Sequence, residues 1–548
     1  MDGSSNFAPP RPPMRGLILV LILVVALLLP GRAQVPTTIK HTVPAPAGGP
    51  GSDDQFGYAV ALSGSLLAVG APFEDSAALD AGGVFLYDLA STTPGTPVLV
   101  LHGPSPAEGD YFGFAVALSG TRLVVGAMGR DGVEADCGAA YVYDLAGITP
   151  TTPVATLIDP NPAPGGQFGF AVGVSGTRAV VGASYAGAAN EGVVYAYQLA
   201  GATPATATAT LTHPSPAAGD QFGYAVAVSG TRVVVGAPFA EEGAALNSGR
   251  AFIFDLAGAT PGTPMHSLGN PSPADNDEFG FAVAISGLRA VVGAPLKLLN
   301  TQKVGAAYAY DLAGPSPAMA TTTWRHPNPA AGDSFGTAVA VSGSKVLVGV
   351  PSRNTGAAAA GAVCVFDLDG AVPATLNNPT PALGELFGAA VAIDGFTAAV
   401  GTPVESATGK GAAYVAGPAS NDTDGDGLLD LWEYAHFGTL AGHSALDDAD
   451  GDGYPELLEL ALDLHPLIPE VTPYPPVVVE NGYLTLTIPK RAGVTYLGQG
   501  SGTPAGAGFS AASTTVLINN ATTLKFRDNT LLSSGGARFL RVQVTAAP

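Results

Sequence analysis

The sequence predicts a mainly β chain: a seven-bladed β-propeller, a short acidic segment of paired loops and helices, and a small C-terminal β-sandwich-like module. Three observations carry that reading. A Phe-Gly pair recurs at Phe56, Phe112, Phe168, Phe222, Phe279, Phe335 and Phe387. Each is followed 14 positions later by the Gly of a G-A-P-like triplet, at Gly70, Gly126, Gly182, Gly236, Gly293, Gly349 and Gly401. The steps between successive Phe residues are 56, 56, 54, 57, 56 and 52, so a fixed unit is joined by variable loops, as in a propeller or array. Second, two acidic glycine-bearing loops follow the repeats, starting at Asp422 and Asp448. Third, short apolar stretches separated by turn residues resume after Pro473.

At 548 residues the chain exceeds what one ordinary core supports. Gly (73) and Pro (47) make up about a fifth of it, yet strong apolar periodicity between them marks turn-rich β-structure and not disorder. The net charge of −22 argues against nucleic acid or an anionic membrane as partner, because both are held by basic patches.

Residues 1–33 read as a signal peptide. Arg11 and Arg15 precede the apolar run Leu17–Leu29, and Pro30-Gly31-Arg32-Ala33 supplies a small-x-small cleavage pattern. The run is short against the roughly 20 residues that span a bilayer, and retention as a signal anchor is the alternative. Export implies a secreted or cell-surface protein with no stable membrane span after cleavage. The two cysteines, Cys137 and Cys364, fall in the second and sixth repeats and are read as unpaired packing residues.

The propeller is expected over 34–418, with four strands per repeat. In the fourth repeat these are Phe222–Val228, Val233–Ala237, Ala251–Leu256 and Met265–Leu268. The first alternates Phe222, Tyr224, Val226 and Val228 on one face with Gly223, Ala225 and Ala227 on the other. A bulky face opposite a small one lets neighbouring sheets interlock, and Ser229-Gly230-Thr231 supplies a tight hairpin. Six repeats carry a fourth strand; the seventh runs out at Tyr414–Gly417 without one. Thr37–Thr42 stands ahead of the first repeat and is expected to complete the last blade.

These repeats resemble the FG-GAP repeats of the integrin α-subunit propeller and its bacterial relatives, over about Val35 to Pro418. The family's calcium-binding blades carry an acidic loop between the F-G and G-A-P strands. Here that place holds Ser63-Gly64-Ser65, Ser119-Gly120-Thr121 and equivalents, with a lone Asp394-Gly395 in the seventh repeat. Such turns lack the six to eight oxygens calcium takes, so no calcium is expected there. The variable loops after G-A-P are Phe73–Ala81, Met128–Asp136, Phe239–Ser248 and Leu296–Val304, and a binding surface is expected among them.

The metal chemistry is expected over 419–467. Asp422, Asp424, Asp426, Asp430 and Glu433 occupy positions 1, 3, 5, 9 and 12 of an EF-hand-type loop, with Gly427 at the sharp turn and the Leu428 carbonyl at position 7. The pattern repeats 26 residues on, with Asp448, Asp450, Asp452, Glu456 and Glu459 at the same positions and the Tyr454 carbonyl at 7. Short helices, Leu429–Phe437 and Pro455–Leu464, are expected to follow. The unit resembles the EF-hand-like and dockerin-like calcium loops of secreted bacterial proteins, and Ca2+ is the cofactor this implies. Clustered carboxylates repel one another, so the segment is expected to order when the ion binds.

The C-terminal module, 473–548, is predicted to hold strands at Val477–Val479, Tyr483–Ile488, Val494–Leu497, Thr515–Ile518, Leu524–Phe526 and Phe539–Val544, with a hairpin at Asn481-Gly482. Catalytic signatures are thin. Gly332-Asp333-Ser334-Phe335-Gly336 matches the nucleophile-elbow pattern, but Ser334 occupies a slot filled elsewhere by Gln55, Tyr111, Gln167, Gln221, Glu278 and Leu386. His102, His213 and His326 share their place with Asp159, Asn270 and Asn378, which marks a turn residue and not a metal ligand. The expected function is non-enzymatic binding of an extracellular protein or glycan. An extracellular polysaccharide enzyme and a structural or dockerin-like surface component are the competing classes.

Overall fold

The computed structural model describes residues 23–24, 36–46, 53–91, 93–368, 373–404 and 410–417, then 428, 433, 436–437, 443–444, 447–450, 456, 459 and 466–468, and finally 477–481, 483–490, 494–501, 511–519, 523–530 and 539–546. The chain forms two compact units: Val35–Pro418, and a second composed of Met1–Gln34 with Ala419–Pro548.

The first unit is a series of seven four-stranded antiparallel sheets. In the fourth sheet Ala225–Ser229, Arg232–Ala237, Arg250–Asp255 and His266–Gly269 lie side by side in chain order. The turn between its first two strands is Gly230-Thr231, with Ser229 paired to Arg232 and Gly230 at φ +59°, as a type II′ hairpin requires. The seventh sheet takes its fourth strand from the front of the chain. Thr38–Pro44 pairs antiparallel with Ala412–Gly417, alongside Thr397–Thr402 and Ala390–Asp394.

The first strands of consecutive sheets pack on one another in order, and Ala390–Asp394 of the seventh packs on Ala59–Ser63 of the first. A closed series of this kind is consistent with a propeller. The interfaces between sheets are apolar and made as the side-chain sizes require. Phe222, Val226, Val233, Val235, Phe252 and Phe254 of the fourth sheet pack on Val180, Val194, Ala196 and Leu211 of the third, with Ala171 and Ala209 at the margin. On the other side, Ala225 and Ala227 receive Phe279, Val283 and Ile285 of the fifth.

The motif glycines are explained at these interfaces. A Cβ on Gly236 would lie 2.0 Å from the carbonyl oxygen of Gly280, so the G-A-P glycine of one repeat meets the F-G glycine of the next, backbone against backbone. Gly401 meets Gly57 at the same 2.0 Å, which carries the contact from the last repeat to the first. One expectation needs correction here. The alternation does not run unbroken from Phe222, because Gly223 adopts φ +92°. The equivalent step in the third repeat is a bulge between Phe168 and Ala171. Phe222 therefore turns into the core while Tyr224 faces its neighbours' rings.

The hairpin edge carries a second closed series. Each hairpin glycine donates its N–H to a side chain of the preceding repeat: Gly120 to Ser63 Oγ (2.9 Å), Gly176 to Ser119, Gly230 to Ser175, Gly287 to Ser229, Gly343 to Ser286 and Gly395 to Ser342. The seventh link, from Gly64, is accepted by Asp394 Oδ2 at 2.7 Å. The lone acidic residue of the hairpins thus joins the last repeat to the first.

In the second unit Val477–Glu480, Tyr483–Pro489, Thr523–Asp528 and Thr514–Asn519 form a four-stranded sheet in that order, with Leu486, Ile488, Leu524 and Phe526 buried. Val494–Ser501 pairs antiparallel with Phe539–Ala546, and Leu23–Val24 pairs in parallel with Gln543 and Val544. Among the described residues no helix is long and apolar enough to cross a membrane.

Candidate functional site

Antiparallel topology puts the two kinds of connection at opposite edges of each sheet. The hairpins and the Thr/Pro-rich loops share one edge. The loops after G-A-P share the other with the segments that lead into the next Phe-Gly, and backbone bonds tie them together: Gly109 N–H to Leu79 O (3.0 Å) and Tyr111 N–H to Asp80 O (3.1 Å) are examples. Candidate binding groups collect at this loop edge.

The largest feature there is an arc of aromatic rings. Tyr58, Phe114, Phe170, Tyr224 and Phe281 each stand two places after the motif Phe, and consecutive ring centroids are 4.9, 5.2, 4.9 and 5.0 Å apart. All five are half-buried, at the loop-edge start of the first strands that pack around the closed series. Tyr185 and Phe239 add rings at 6.1 and 6.0 Å from Phe170 and Tyr224. Burial raises the Tyr58 and Tyr224 hydroxyls, which keeps both rings neutral. Thr337 and Ala389 take the same place in the sixth and seventh repeats, so the arc has a gap of two positions. Sequence reading missed this arc; the recurrence of Tyr or Phe two places after five motif Phe residues was the available signal.

Outside the arc the junctions between sheets are built around a buried carboxylate two places before the motif Phe, except before Phe168, where Gly166 takes that place. Asp110, Asp220, Asp277, Asp333 and Glu385 each accept a backbone N–H three residues earlier, at 2.7–2.9 Å. The turn residue beyond it behaves as the sequence implies. His213 Nδ1, His326 Nδ1, Asn270 Oδ1, Asn378 Oδ1 and Asp159 Oδ1 all accept the N–H two residues on, past a Pro that has none. His102 stands apart: it lies 3.4 Å from Glu74 Oε2. Cations complete some junctions, with Lys297 Nζ 2.6 Å from Asp277 and Arg353 Nη1 2.7 Å from Asp333. An open pocket of about 330 Å3 beside the second junction is lined by Arg130, Cys137, Ile158 and Asp159 among others.

The residue just before the motif Phe is left-handed in every repeat, from Gln221 at φ 50° to Leu386 at 59°. Ser334 is one of these, half-buried, its Oγ donating to the Gly332 carbonyl at 3.4 Å. Among the described residues no base lies within hydrogen-bond reach of its Oγ, and it stands in a turn, not an elbow. Cys137 and Cys364 are buried and unpaired, and burial pushes the Cys364 thiol up to about 12.

Of the twelve candidate calcium ligands, Asp422, Asp424, Asp426, Asp430, Asp452 and Tyr454 lie outside the described residues. Leu428, Glu433, Glu456 and Glu459 are fully buried, and the three Glu residues are helical. Glu456 Oε1 accepts the Ala449 N–H at 3.1 Å, and burial raises its carboxyl to about 7. Buried carboxylates at loop positions 9 and 12 suit a cation-binding role. Among the described residues alone no group of three His, Cys, Asp or Glu is placed to hold an ion.

Comparison with known proteins bears on the repeats. The FG-GAP repeat family model matches residues 47–87, 101–143, 151–197, 206–254 and 271–310. These five segments are FG-GAP repeats. They are also the five whose motif Phe is followed two places on by an arc residue. FG-GAP repeats are typical of extracellular or surface proteins. No curated protein matches the chain. Among solved structures it is similar to Sqt1 from Chaetomium thermophilum at 15% identity, with 64% of this chain and 80% of that one covered; the TM-score of 0.37 is too low to carry weight.

Proposed function

We propose that the chain is a secreted or cell-surface, non-enzymatic binding protein. Its FG-GAP repeats form a seven-bladed propeller that holds a partner at the loop edge. The observation that carries this reading is the half-buried aromatic arc, Tyr58 to Phe281, set among variable acidic loops. Rings tilted 42–49° to their neighbours offer a continuous apolar surface that takes a sugar ring or a basic side chain of an extracellular partner, and the net charge of −22 favours the basic one. The polysaccharide-enzyme alternative asks for converging acid and base groups, which the Ala-rich first strands do not offer. The calcium loops order the 419–467 segment between the propeller and the C-terminal β-sandwich-like module, with Asp422–Glu433 and Asp448–Glu459 holding one Ca2+ each.

Screening the exported protein on glycan and protein arrays, with and without calcium, identifies the partner. Phe170→Ala then lowers affinity at least tenfold, since it opens the arc between Phe114 and Tyr224. Equal affinity for wild type and Phe170→Ala discards the arc as the site. Calorimetric titration of the full chain is expected to show calcium uptake that the double variant Glu433→Gln, Glu459→Gln loses. Absence of uptake by the wild type discards the connector reading.

A further inference from the structure

The junction after the fourth sheet differs from the others in bringing together an amine, a carboxamide and a carboxylic acid, all buried. Lys297, Asn270 and Asp277 are 4%, 4% and 0% exposed. Lys297 Nζ donates to Asp277 Oδ2 at 2.6 Å, and Asn270 Nδ2 donates to the same oxygen at 2.7 Å. The attacking nitrogen of an acyl transfer and its leaving nitrogen thus rest on one carboxylate atom. The acyl oxygen is held as well: Asn270 Oδ1 accepts the Ser272 N–H at 3.1 Å and faces the Tyr308 hydroxyl at 3.5 Å. Burial raises the Tyr308 hydroxyl, so it remains a donor. Lys297 Nζ also donates to the Ser272 carbonyl, which fixes it over the turn. Asp277 Oδ1 is buried and has no hydrogen-bond partner, which leaves a place for a proton.

We propose that Lys297 and Asn270 become joined by an intramolecular amide bond, with Asp277 as the group that moves the protons. The Lys297 ammonium gives a proton to Asp277, and the neutral amine attacks Asn270 Cγ. Negative charge gathers on Oδ1, where Ser272 N–H and Tyr308 O–H point. The Cγ–Nδ2 bond then breaks; Nδ2 takes up the second amine proton and departs as ammonia, which receives the proton held by Asp277. Ammonium leaves, an amide forms, and no oxidant or metal is consumed. Proximity supplies much of the rate, because the folded chain holds the reactants together. The product staples the end of the fourth sheet to the G-A-P loop of the fifth, in a protein whose two cysteines are unpaired.

The neighbouring junctions serve as internal controls. His326, Asp333 and Arg353 hold the same places after the fifth sheet, but a guanidinium is a poor nucleophile and the imidazole has no acyl carbon. His213 and Asp220 face Ala240 at the lysine position, and Asn378 and Glu385 correspond to Glu405, which lies outside the described residues.

Tryptic digestion of the purified full chain followed by mass spectrometry tests the bond. The expected product is a branched species joining peptide 251–289 to peptide 290–303, uncleaved after Lys297 and lighter than the two linear peptides by one ammonia. Lys297→Arg abolishes it, and Asp277→Asn abolishes it while circular dichroism reports a folded chain. Linear peptides of full mass, with cleavage after Lys297 in the wild type, overturn the proposal and leave a buried ion pair. Full cross-linking in Asp277→Asn overturns the role given to Asp277.

Discussion

The two edges of the repeated sheets obey different rules. At the hairpin edge one device recurs: a glycine N–H bonded to a serine of the preceding repeat, with Asp394 substituting once. At the loop edge the backbone is equally regular, with a left-handed residue, a buried Phe and a glycine pressed on a neighbour's carbonyl. The side chains hung on that frame vary from junction to junction. His, Asn and Asp interchange at the turn; Lys, Arg, Glu and Ala interchange after G-A-P. Regular bonding at exposed turns sets the spacing of the series. Variation confined to side chains on a strained, close-packed frame is how one scaffold acquires different chemistry at each junction.

The sharpest test of that contrast uses one substitution at both edges. Gly236→Ala places a methyl group 2.0 Å from the Gly280 oxygen, with backbone on both sides and nothing able to yield. The expected cost is about 4 kcal/mol or more, enough to yield insoluble or unfolded protein. Gly230→Ala has nothing within 4 Å and meets only the penalty of φ +59°, about 1 kcal/mol. Soluble expression and thermal midpoints separate the two. Similar behaviour of the pair contradicts the distinction between the edges.

Asp394 sharpens the contrast within the hairpin edge. Asp394→Ala removes the acceptor for Gly64 N–H and weakens the link between the last repeat and the first by about 1 kcal/mol, as suits an exposed bond. Asp394→Ser restores the acceptor used by the other six repeats. A lower unfolding midpoint for Asp394→Ala, recovered in Asp394→Ser, is the expected outcome. Equal midpoints for wild type and Asp394→Ala mean that the seventh link contributes nothing.

Much of the fold was legible in the sequence because its glycines have a steric cause. The glycines of F-G and G-A-P are fixed because Gly280 and Gly236 must touch, and a constraint of that kind leaves a glycine at both places in every copy. What the sequence offered for the closure was a count: six fourth strands, and a spare one in front. The structure pairs Thr38–Pro44 with Ala412–Gly417. The turn role of His213 and His326 was legible from the residues that replace them. The aromatic arc was not, since Tyr224 reads as one more apolar position until the φ of Gly223 turns it away from Phe222. The Lys297 junction escaped too. Asn270, Asp277 and Lys297 are neighbours only through the packing of two sheets, and nothing in their spacing announces it.

The smallest expected effect is a dependence on pH at the loop edge. His213 is buried; its Nδ1 accepts the Ser215 N–H and its Nε2 has no partner, so the neutral ring is the form that fits. Burial lowers its pKa from the ordinary 6.5, with Asp220 opposing and Arg250 adding to the shift. His326 is lowered likewise, by burial and then by Arg353. With the folded values depressed, the unfolded chain takes up protons first. Stability is therefore unaffected well above 6.5 and falls as the pH drops through 6.5 toward the folded values. Asn caps the same turn at 270 and 378 without titrating. The double variant His213→Asn, His326→Asn should thus lose less stability than wild type between about pH 7 and pH 5, read as urea midpoints at each pH. Identical losses would mean that both imidazoles take up protons alike in the folded and the unfolded chain, and that burial at these junctions does not disfavour the charged ring.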